Sequence, residues 1–236
     1  MTHLSSFSTT AFLIADPTRA LMLAYLLDGR AHPAGGLAHT SGVTPATASA
    51  HLSKLLEGGL VTVEIQGRHH YYRIATPEVA YALEQLATIH PLESLKKKAL
   101  SPQGRQLQFC RRCYDHLAGK VGVSITQSLQ EQRFLSLIEN KQYEVTPIGK
   151  DWFSHIGLNI SAIKRTKIGL ARQCLDWTER RHHLAGPLGT QFMNHLCALD
   201  WVRSSSASRA VIITPKGWLH LKAELGLDEQ AINNPI

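Results

Sequence analysis

The 236-residue sequence contains no apolar run of roughly 18 residues, the length that a membrane-spanning helix needs. Its N-terminus also lacks a basic stretch followed by an apolar signal core. These absences predict a cytoplasmic protein with no membrane partner. The sequence has no metalloprotease helix motif, no glycine-rich phosphate-binding loop and no Gly-x-Ser-x-Gly nucleophile turn. We therefore expect that the protein is not an enzyme.

Cysteine is scarce and does not occur in the first 109 residues of the chain. The four cysteines are Cys110, Cys113, Cys174 and Cys197. So few cysteines in a chain of this size, without a secretory signal, do not indicate a disulfide framework. Reduced thiols, metal ligands or sensor cysteines are the expected alternatives.

Aromatic residues make up 7% of the chain and charged residues 18%, whereas 44% of the residues are hydrophobic, so the chain can bury a core and form two domains. The net charge of +7 suits an anionic partner. The excess lies in residues 101–236, with 17 Lys and Arg against 11 Asp and Glu, while residues 1–100 hold 8 against 7. Residues 1–100 therefore have little excess positive charge with which to neutralise DNA phosphates, and a dimer would double the number of basic contacts.

The stretch from Gly42 to Val61 is typical of a DNA-recognition helix. Thr44 is a candidate N-cap, Pro45 suits the first turn, and Gly58-Gly59 supplies a backbone that can end the helix. Apolar residues at helical spacing leave an outer face of small and hydrogen-bonding side chains, which can enter the major groove. The predicted DNA contacts on this helix are Thr44, Thr47, Ser49, His51 and Lys54.

A β-hairpin is predicted directly after this helix, because two alternating β-rich runs flank a turn that contains Gly67. Arg68 lies at its tip, with His69 and His70 beside it, and could reach a minor groove or a flanking phosphate. Further helices are predicted over Thr2–Ala15, from Asp16-Pro17 to Gly29, over residues 37–40 and over residues 77–89. This order of elements predicts a winged helix-turn-helix rather than an isolated surface helix.

Residues 6 to about 90 resemble the ArsR family of bacterial transcriptional regulators. The resemblance is carried by Ala15-Asp16-Pro17-Thr18-Arg19, Ser49-Ala50-His51-Leu52-Ser53-Lys54-Leu55, Gly59-Leu60-Val61 and Gly67-Arg68-His69-His70-Tyr71-Tyr72-Arg73-Ile74. Members of this family are typically dimeric repressors that release operator DNA when a metal ion, metalloid, oxidant or other small signal binds. The resemblance implies that the first helix belongs to a dimer interface, and the helix over residues 77–89 is a second candidate dimerisation element.

An internal repeat marks the second half. His116-Leu117-Ala118-Gly119 recurs as His183-Leu184-Ala185-Gly186 after 67 residues, and Thr146-Pro147 recurs as Thr214-Pro215 after 68. The constant offset predicts a duplication, with repeats at about residues 110–160 and 174–226. Each repeat is predicted to be winged-helix-like, with long helices over residues 121–139 and 188–202 and a second wing tip over residues 203–209.

The predicted fold is therefore mainly α with small β-hairpin wings. A winged helix-turn-helix DNA-binding domain is expected at residues 1–95 and a sensing and dimerisation domain at residues 103–228. Lys96-Lys97-Lys98 and Ser101-Pro102 indicate a linker between them. No helix of the repeats has the open face of the recognition helix, which favours sensing over DNA binding for this domain.

Thiol and imidazole side chains cluster at equivalent points of the two repeats. Cys113 and His116, with Cys110 as a weaker candidate, are expected on one helical stripe. If the repeats pack about a pseudo-twofold axis, this pair converges with Cys174 and either His182 or His183. The donor set suits zinc, copper(I) or a metalloid such as arsenic(III). No other cofactor is indicated.

Two other interpretations of the cysteines remain open. Arg111 and Arg112 beside Cys113, and Arg172 near Cys174, could favour reactive thiolates and make the protein a redox or electrophile sensor. Alternatively, the cysteines are small buried hydrophobic residues, as we expect for Cys197.

The predicted function is a homodimeric repressor that binds a near-palindromic double-stranded operator and is released by a metal ion or small-molecule inducer. The two recognition helices would enter successive major grooves, with half-sites about one helical turn apart. A non-DNA-binding interaction module is the alternative and would show only weak, sequence-indifferent affinity for DNA.

Overall fold

The computed structural model describes residues 2–89, 102–167, 169–205 and 207–233. The chain forms two compact units, Met1–Leu86 and Ala87–Ile236. The predicted linker at Lys96-Lys97-Lys98 lies outside the described residues. Among the helices that the structure describes, none is long and apolar enough to span a membrane.

The first unit consists of helices around a small antiparallel sheet with the strand order β1-β3-β2. Its elements are α1 (Thr2–Ala15), α2 (Pro17–Leu26), β1 (His32–Pro33), α3 (Ala34–Ser41), α4 (Pro45–Glu57), β2 (Val61–Gln66), β3 (His69–Ile74) and α5 (Pro77–Ala87). Leucines of α2, α3 and α4 pack with Val61 and Tyr72 of the hairpin to form the core. This is the winged helix-turn-helix that the sequence predicts.

The helix ends in this unit follow from local chemistry. The Asp16 carboxylate accepts a hydrogen bond from the Arg19 backbone N–H at 2.9 Å and so caps α2, which Pro17 opens. Gly42 has a left-handed backbone (φ 68°) and ends α3. The buried Arg19 side chain donates from Nε to the Leu13 carbonyl at 2.6 Å, which fixes the end of α1 on the start of α2.

The second unit contains two four-stranded antiparallel sheets and two successive sets of elements in the order β-β-α-β-β-α. A short helix α6 (Pro102–Phe109) precedes the first set, and α11 (Glu229–Asn233) follows the second. The first set is β4 (Arg111–Cys113), β5 (His116–Ala118), α7 (Gly119–Glu131), β6 (Leu135–Ile138), β7 (Gln142–Val145) and α8 (Pro147–His155). The second set is β8 (Ala171–Leu175), β9 (His182–Ala185), α9 (Gly186–Ala198), β10 (Val202–Ser205), β11 (Ser208–Ile213) and α10 (Pro215–Leu225).

The two sets are interwoven, because each sheet combines a hairpin from one set with a hairpin from the other. The strand orders are β10-β11-β4-β5 and β6-β7-β8-β9. Ala210 of β11 pairs with Arg111 of β4, and Tyr143 of β7 pairs with Ala171 of β8. Helices α7 and α9 contribute Val121, Leu129, Leu188 and other buried residues to a core that both sets share.

The second unit differs from the sequence prediction, because the described fold is mixed helix and sheet rather than mainly α. The helix predicted to reach residue 139 ends at Glu131, and the helix predicted to reach residue 202 ends at Ala198. Arg133 and Asp200, with φ near 60°, adopt the left-handed backbone that usually requires glycine. The sequence carries no glycine at either helix end, and it therefore predicts longer helices than the structure contains.

Candidate metal centre and DNA interface

The outer face of α4 presents small and polar side chains to solvent. Thr47, Ser49 and Lys54 are exposed, as the sequence predicts for a helix that enters a groove. Thr44 is also exposed, and its Oγ1 accepts a hydrogen bond from the Thr47 backbone N–H at 3.2 Å. Thr44 therefore caps α4, a structural role that does not depend on any contact with DNA.

His51 is less open to solvent than these three residues. Its side chain is only 18% exposed, and its Nδ1 lies 3.6 Å from the Asp16 carboxylate at the start of α2. This position connects α4 to α2 inside the first unit. Of the residues predicted to contact DNA from α4, His51 is thus the least open to solvent.

The hairpin of β2 and β3 closes with the pair Gln66 and His69, so its loop consists of Gly67 and Arg68 alone. Gly67 has φ of 60°, which suits the first position of a tight hairpin turn. Arg68, His69 and His70 are all exposed at this tip. The tip of the wing therefore presents one permanent positive charge and two imidazoles to solvent.

The second unit brings together four thiol and imidazole side chains from distant parts of the sequence. One ligand atom from each of Cys113, His116, Cys174 and His183 lies within 4.8 Å of the other three, and all four residues are buried. The sequence predicted this convergence from the repeat, and the four residues lie on two β-hairpins. The sequence predicted that Cys113 and His116 lie on one helix. This prediction is wrong, because both residues lie on strands.

Hairpin geometry explains how each cysteine meets its histidine. Cys113 of β4 pairs directly with His116 of β5, and Cys174 of β8 pairs directly with His183 of β9. Side chains of directly opposed residues lie on the same face of a sheet, about 5 Å apart at Cβ. Tyr114, with a φ of 55°, allows a two-residue turn between the first pair.

The two imidazoles face each other at the centre of this cluster. Nε2 of His116 and Nε2 of His183 are 3.1 Å apart. On the far side of each ring, Nδ1 of His116 lies 2.9 Å from Oδ1 of Asp115, and Nδ1 of His183 lies 3.6 Å from Oδ2 of Asp176. Burial disfavours the charged form of His116, but hydrogen bonds to Asp115 and Cys113 outweigh burial and raise its pKa to about 9.

Asp176 is fully buried and forms an ion pair with the buried Arg111. The Arg111 guanidinium donates to both carboxylate oxygens, at 2.9 and 3.0 Å. Asp176 also accepts hydrogen bonds from the Gly119 backbone N–H at 2.8 Å and from the Thr178 hydroxyl at 2.7 Å. Burial alone would raise the pKa of Asp176, but Arg111, His183 and these donors hold it well below its usual value.

The remaining candidate ligands lie outside this cluster. Cys110 belongs to the hydrophobic core, where burial raises the pKa of its thiol. His182 is exposed on β9, because neighbouring residues of a strand point to opposite faces. Cys197 is partly buried and packs against the core, as expected.

Sequence reasoning missed two glycines that allow the cluster to close. A Cβ on Gly189 would lie 2.6 Å from the Leu184 carbonyl and 3.4 Å from Cβ of His116. A Cβ on Gly122 would lie 2.6 Å from the Leu117 carbonyl. Both glycines follow a His-Leu-Ala-Gly motif by three residues, a signal that was available in the sequence.

Comparison with known proteins extends over both units. A helix-turn-helix domain family matches residues 14–64. The chain is 42% identical over 215 residues to the uncharacterized HTH-type transcriptional regulator YdfF of Bacillus subtilis, which covers 91% of this chain and 95% of that protein. It is also 42% identical over 76 residues to the HTH-type transcriptional regulator CmtR of Mycobacterium bovis, which covers 32% of this chain and 64% of that one.

Two solved structures are similar to the first unit. The homodimeric winged helix-turn-helix domain of a possible ArsR-family regulator from Mycobacterium bovis has 28% identity, a TM-score of 0.36 and coverage of 37% of this chain and 81% of its own. The cadmium sensor CMTR from Mycobacterium tuberculosis has 34% identity, a TM-score of 0.31 and coverage of 40% and 98%. The match to YdfF spans nearly the whole of both chains, and the chain therefore belongs to the ArsR-type winged helix-turn-helix transcriptional regulators.

Proposed function

We propose that this regulator is a homodimeric repressor that responds to a divalent transition metal ion bound by Cys113, His116, Cys174 and His183. The observation that carries the proposal is the convergence of four buried ligand atoms within 4.8 Å in the second unit. A metal ion at the centre of this cluster would take all four side chains as ligands at once.

The donor set favours zinc and ions that replace it. Around a tetrahedral zinc ion, nitrogen and sulfur ligands lie about 3.3–3.8 Å apart, which is compatible with a cluster confined to 4.8 Å. Two thiolates balance the charge of a divalent ion, whereas copper(I) would leave a negative charge uncompensated in a buried site. Two thiolates with two imidazoles form a complete tetrahedral set. A zinc-like divalent ion therefore fits this donor set better than copper(I).

Burial also favours metal binding over thiol signalling. Cys113 and Cys174 are 3% and 6% exposed. Cysteines that react with oxidants or electrophiles usually lie in partly exposed, electropositive surroundings. A redox sensor is therefore the weaker proposal for this pair.

We infer that the second unit consists of two winged-helix-like repeats that arose by duplication. Both sets of elements follow the same order, and each contributes one cysteine and one histidine from its first hairpin. A single metal ion would thus take two ligands from each repeat.

DNA binding is assigned to α4 and the wing. We propose that Thr47 and Ser49 contact base edges and that Lys54 and Arg68 contact phosphates, since all four side chains are exposed. Thr44 and His51 remain candidates with a second, structural role.

Dimerisation is assigned to α1 and α5, which expose large apolar side chains. Phe7 and Phe12 of α1 are 74% and 70% exposed, and Leu86 of α5 is 47% exposed. Large apolar side chains left exposed on a helix are often covered by a partner protein. Two copies would also double the number of basic side chains available to a two-fold operator.

Metal binding can regulate DNA binding only if the metal binds one conformation more tightly than the other. We propose that the metal-bound protein has the lower operator affinity. The experiment is a gel-shift titration of the full-length protein on the DNA upstream of its own gene, with a chelator or with zinc. We expect tight binding in chelator and weaker binding in zinc.

Two matched pairs of variants separate the two halves of this proposal. Cys174→Ser should abolish the response to zinc without changing operator affinity in chelator, whereas Cys197→Ser should respond normally. Lys54→Ala should lower operator affinity and reduce the salt slope by about one unit, whereas Lys150→Ala should not. Specific binding that zinc leaves unchanged would refute metal regulation, and binding that is equal on unrelated DNA would refute operator recognition.

A further inference from the structure

Each half of the metal centre contains a carboxylate that is not among the four ligands. Asp115 follows Cys113 by two residues, and Asp176 follows Cys174 by two residues. The spacing from cysteine to aspartate is therefore the same in both repeats. The spacing from aspartate to histidine differs, because Asp115 directly precedes His116, whereas six residues lie between Asp176 and His183. Both repeats thus contain a Cys-x-Asp sequence, followed by the histidine that begins a His-Leu-Ala-Gly motif.

Both carboxylates face the ring nitrogen that points away from the centre. Asp115 is within hydrogen-bond distance of Nδ1 of His116, at 2.9 Å, and Asp176 lies 3.6 Å from Nδ1 of His183. A carboxylate at Nδ1 favours the tautomer with the proton on Nδ1, which leaves a lone pair on Nε2. The two Nε2 atoms are only 3.1 Å apart, a distance at which they share a proton in the absence of an ion, and a bound cation would take the place of that proton.

We propose that Asp115 and Asp176 are positioning residues of the metal centre: Asp115 sets the tautomer and orientation of His116 through a hydrogen bond, and the charge of Asp176 at 3.6 Å favours the Nδ1-protonated tautomer of His183, so that both Nε2 atoms can bind the ion. This inference rests on the proposed metal-binding function. It adds two residues to the centre that touch no ion themselves and act through the imidazoles.

The two carboxylates differ in how firmly the protein holds them. Asp176 is 0% exposed and bound to Arg111, whereas the side chain of Asp115 is 44% exposed and accepts a hydrogen bond from the Thr190 hydroxyl at 2.8 Å. Replacement of Asp176 would leave Arg111 buried without its counter-charge, which endangers the fold. Asp115 is accordingly the residue at which positioning can be tested without unfolding the unit.

The test is a cobalt(II) titration of the full-length native protein, Asp115→Asn and the control Asp200→Asn, followed by visible absorption. Asp200 is an exposed carboxylate of the same unit that pairs with Arg203. Loss of a carboxylate partner from a ligand histidine typically weakens metal binding 10–100-fold, and we expect a loss in that range for Asp115→Asn. At saturation its ligand-field bands should shift, because His116 becomes a weaker donor, while Asp200→Asn should match the native protein.

The outcomes distinguish this inference from the proposed function. Native cobalt affinity and native bands in Asp115→Asn would overturn the positioning role and leave the metal centre intact. Absence of cobalt bands in the native protein would overturn the metal centre itself, and with it the role of both carboxylates. If Asp115→Asn does not fold, Thr190→Val supplies the answer: weaker cobalt binding supports positioning through Asp115, and unchanged binding overturns it.

Discussion

The ion pair between Arg111 and Asp176 allows a quantitative prediction about the second unit. Both side chains are buried, and the guanidinium binds both carboxylate oxygens. Substitution of Arg111 by methionine keeps much of the side-chain volume but leaves a buried carboxylate without its counter-charge. We expect a large loss of stability, since the charge of Asp176 must then be solvated by dipoles alone.

The magnitude follows from the donors that remain. Removing one partner of a buried pair costs about 3–5 kcal/mol. Asp176 keeps hydrogen bonds from the backbone N–H groups of Gly119, Thr178 and Glu179 and from the Thr178 hydroxyl. These donors place the expected loss at the lower end, about 3 kcal/mol, which for a unit of this size lowers the unfolding midpoint by about 6–12 °C.

Tryptophan fluorescence provides a selective assay, because all four tryptophans lie in the second unit, at Trp152, Trp177, Trp201 and Trp218. Thermal unfolding is followed in chelator, so that metal binding does not contribute. Arg112→Met is the matched control, since Arg112 is the next residue on β4 and is only partly buried. We expect the control to unfold within about 2 °C of the native protein, as surface substitutions usually change stability by less than 0.5 kcal/mol.

A midpoint for Arg111→Met that equals the native value would contradict the assignment of a buried, coupled pair. The double variant Arg111→Met with Asp176→Asn tests the cause. A neutral amide needs no counter-charge, and so the double variant should unfold at a higher temperature than Arg111→Met alone. If it unfolds lower still, the loss comes from packing rather than from an uncompensated charge.

Two further substitutions test other parts of the structure. Gly189→Ala should destabilise the second unit by about 1–3 kcal/mol, because its Cβ would lie 2.6 Å from the Leu184 carbonyl, a backbone atom that cannot move aside. A fluorescence midpoint equal to that of the native protein would contradict the close packing of α9 on β9. Thr44→Ala removes the side-chain cap that binds the Thr47 N–H and should cost about 1 kcal/mol. Faster hydrogen exchange in the first turn of α4 would confirm it, and an unchanged rate would show that the cap is dispensable.

The first unit could be predicted from the sequence because its signals are local. Asp16 and Thr44 each precede a proline, and Gly42 and the Gly58-Gly59 pair mark where helices end. Capping, the fixed φ of proline and the left-handed tolerance of glycine act over three or four residues. The residues around each of these helix ends are therefore sufficient to predict it.

The second unit could be predicted only in part, because its sheets depend on distant residues. Each sheet pairs hairpins from different sets, and the sequence of one set alone does not show this pairing. The choice between His182 and His183 was open for a related reason: alternation along β9 places one on each face, and only the tertiary fold decides which face is buried. The repeat nevertheless predicts that Cys113 and His116 converge with Cys174 if the repeats pack about a pseudo-twofold axis, because equivalent positions close to such an axis lie close to each other. The structure brings these three residues together.

The position of the proposed metal centre between two sheets leads to a last prediction. Strands β5 and β9 are the edge strands of their sheets, and His116 of one faces His183 of the other. The two described sheets are separate hydrogen-bonded ladders, so an ion bound by all four ligands would join them without any new backbone pairing. Zinc should therefore slow hydrogen exchange at β4–β5 and β8–β9 and have less effect on the distant edges β6 and β10. Uniform protection would indicate general stabilisation by mass action, whereas protection confined to the two hairpins would show that the ion acts at the joint.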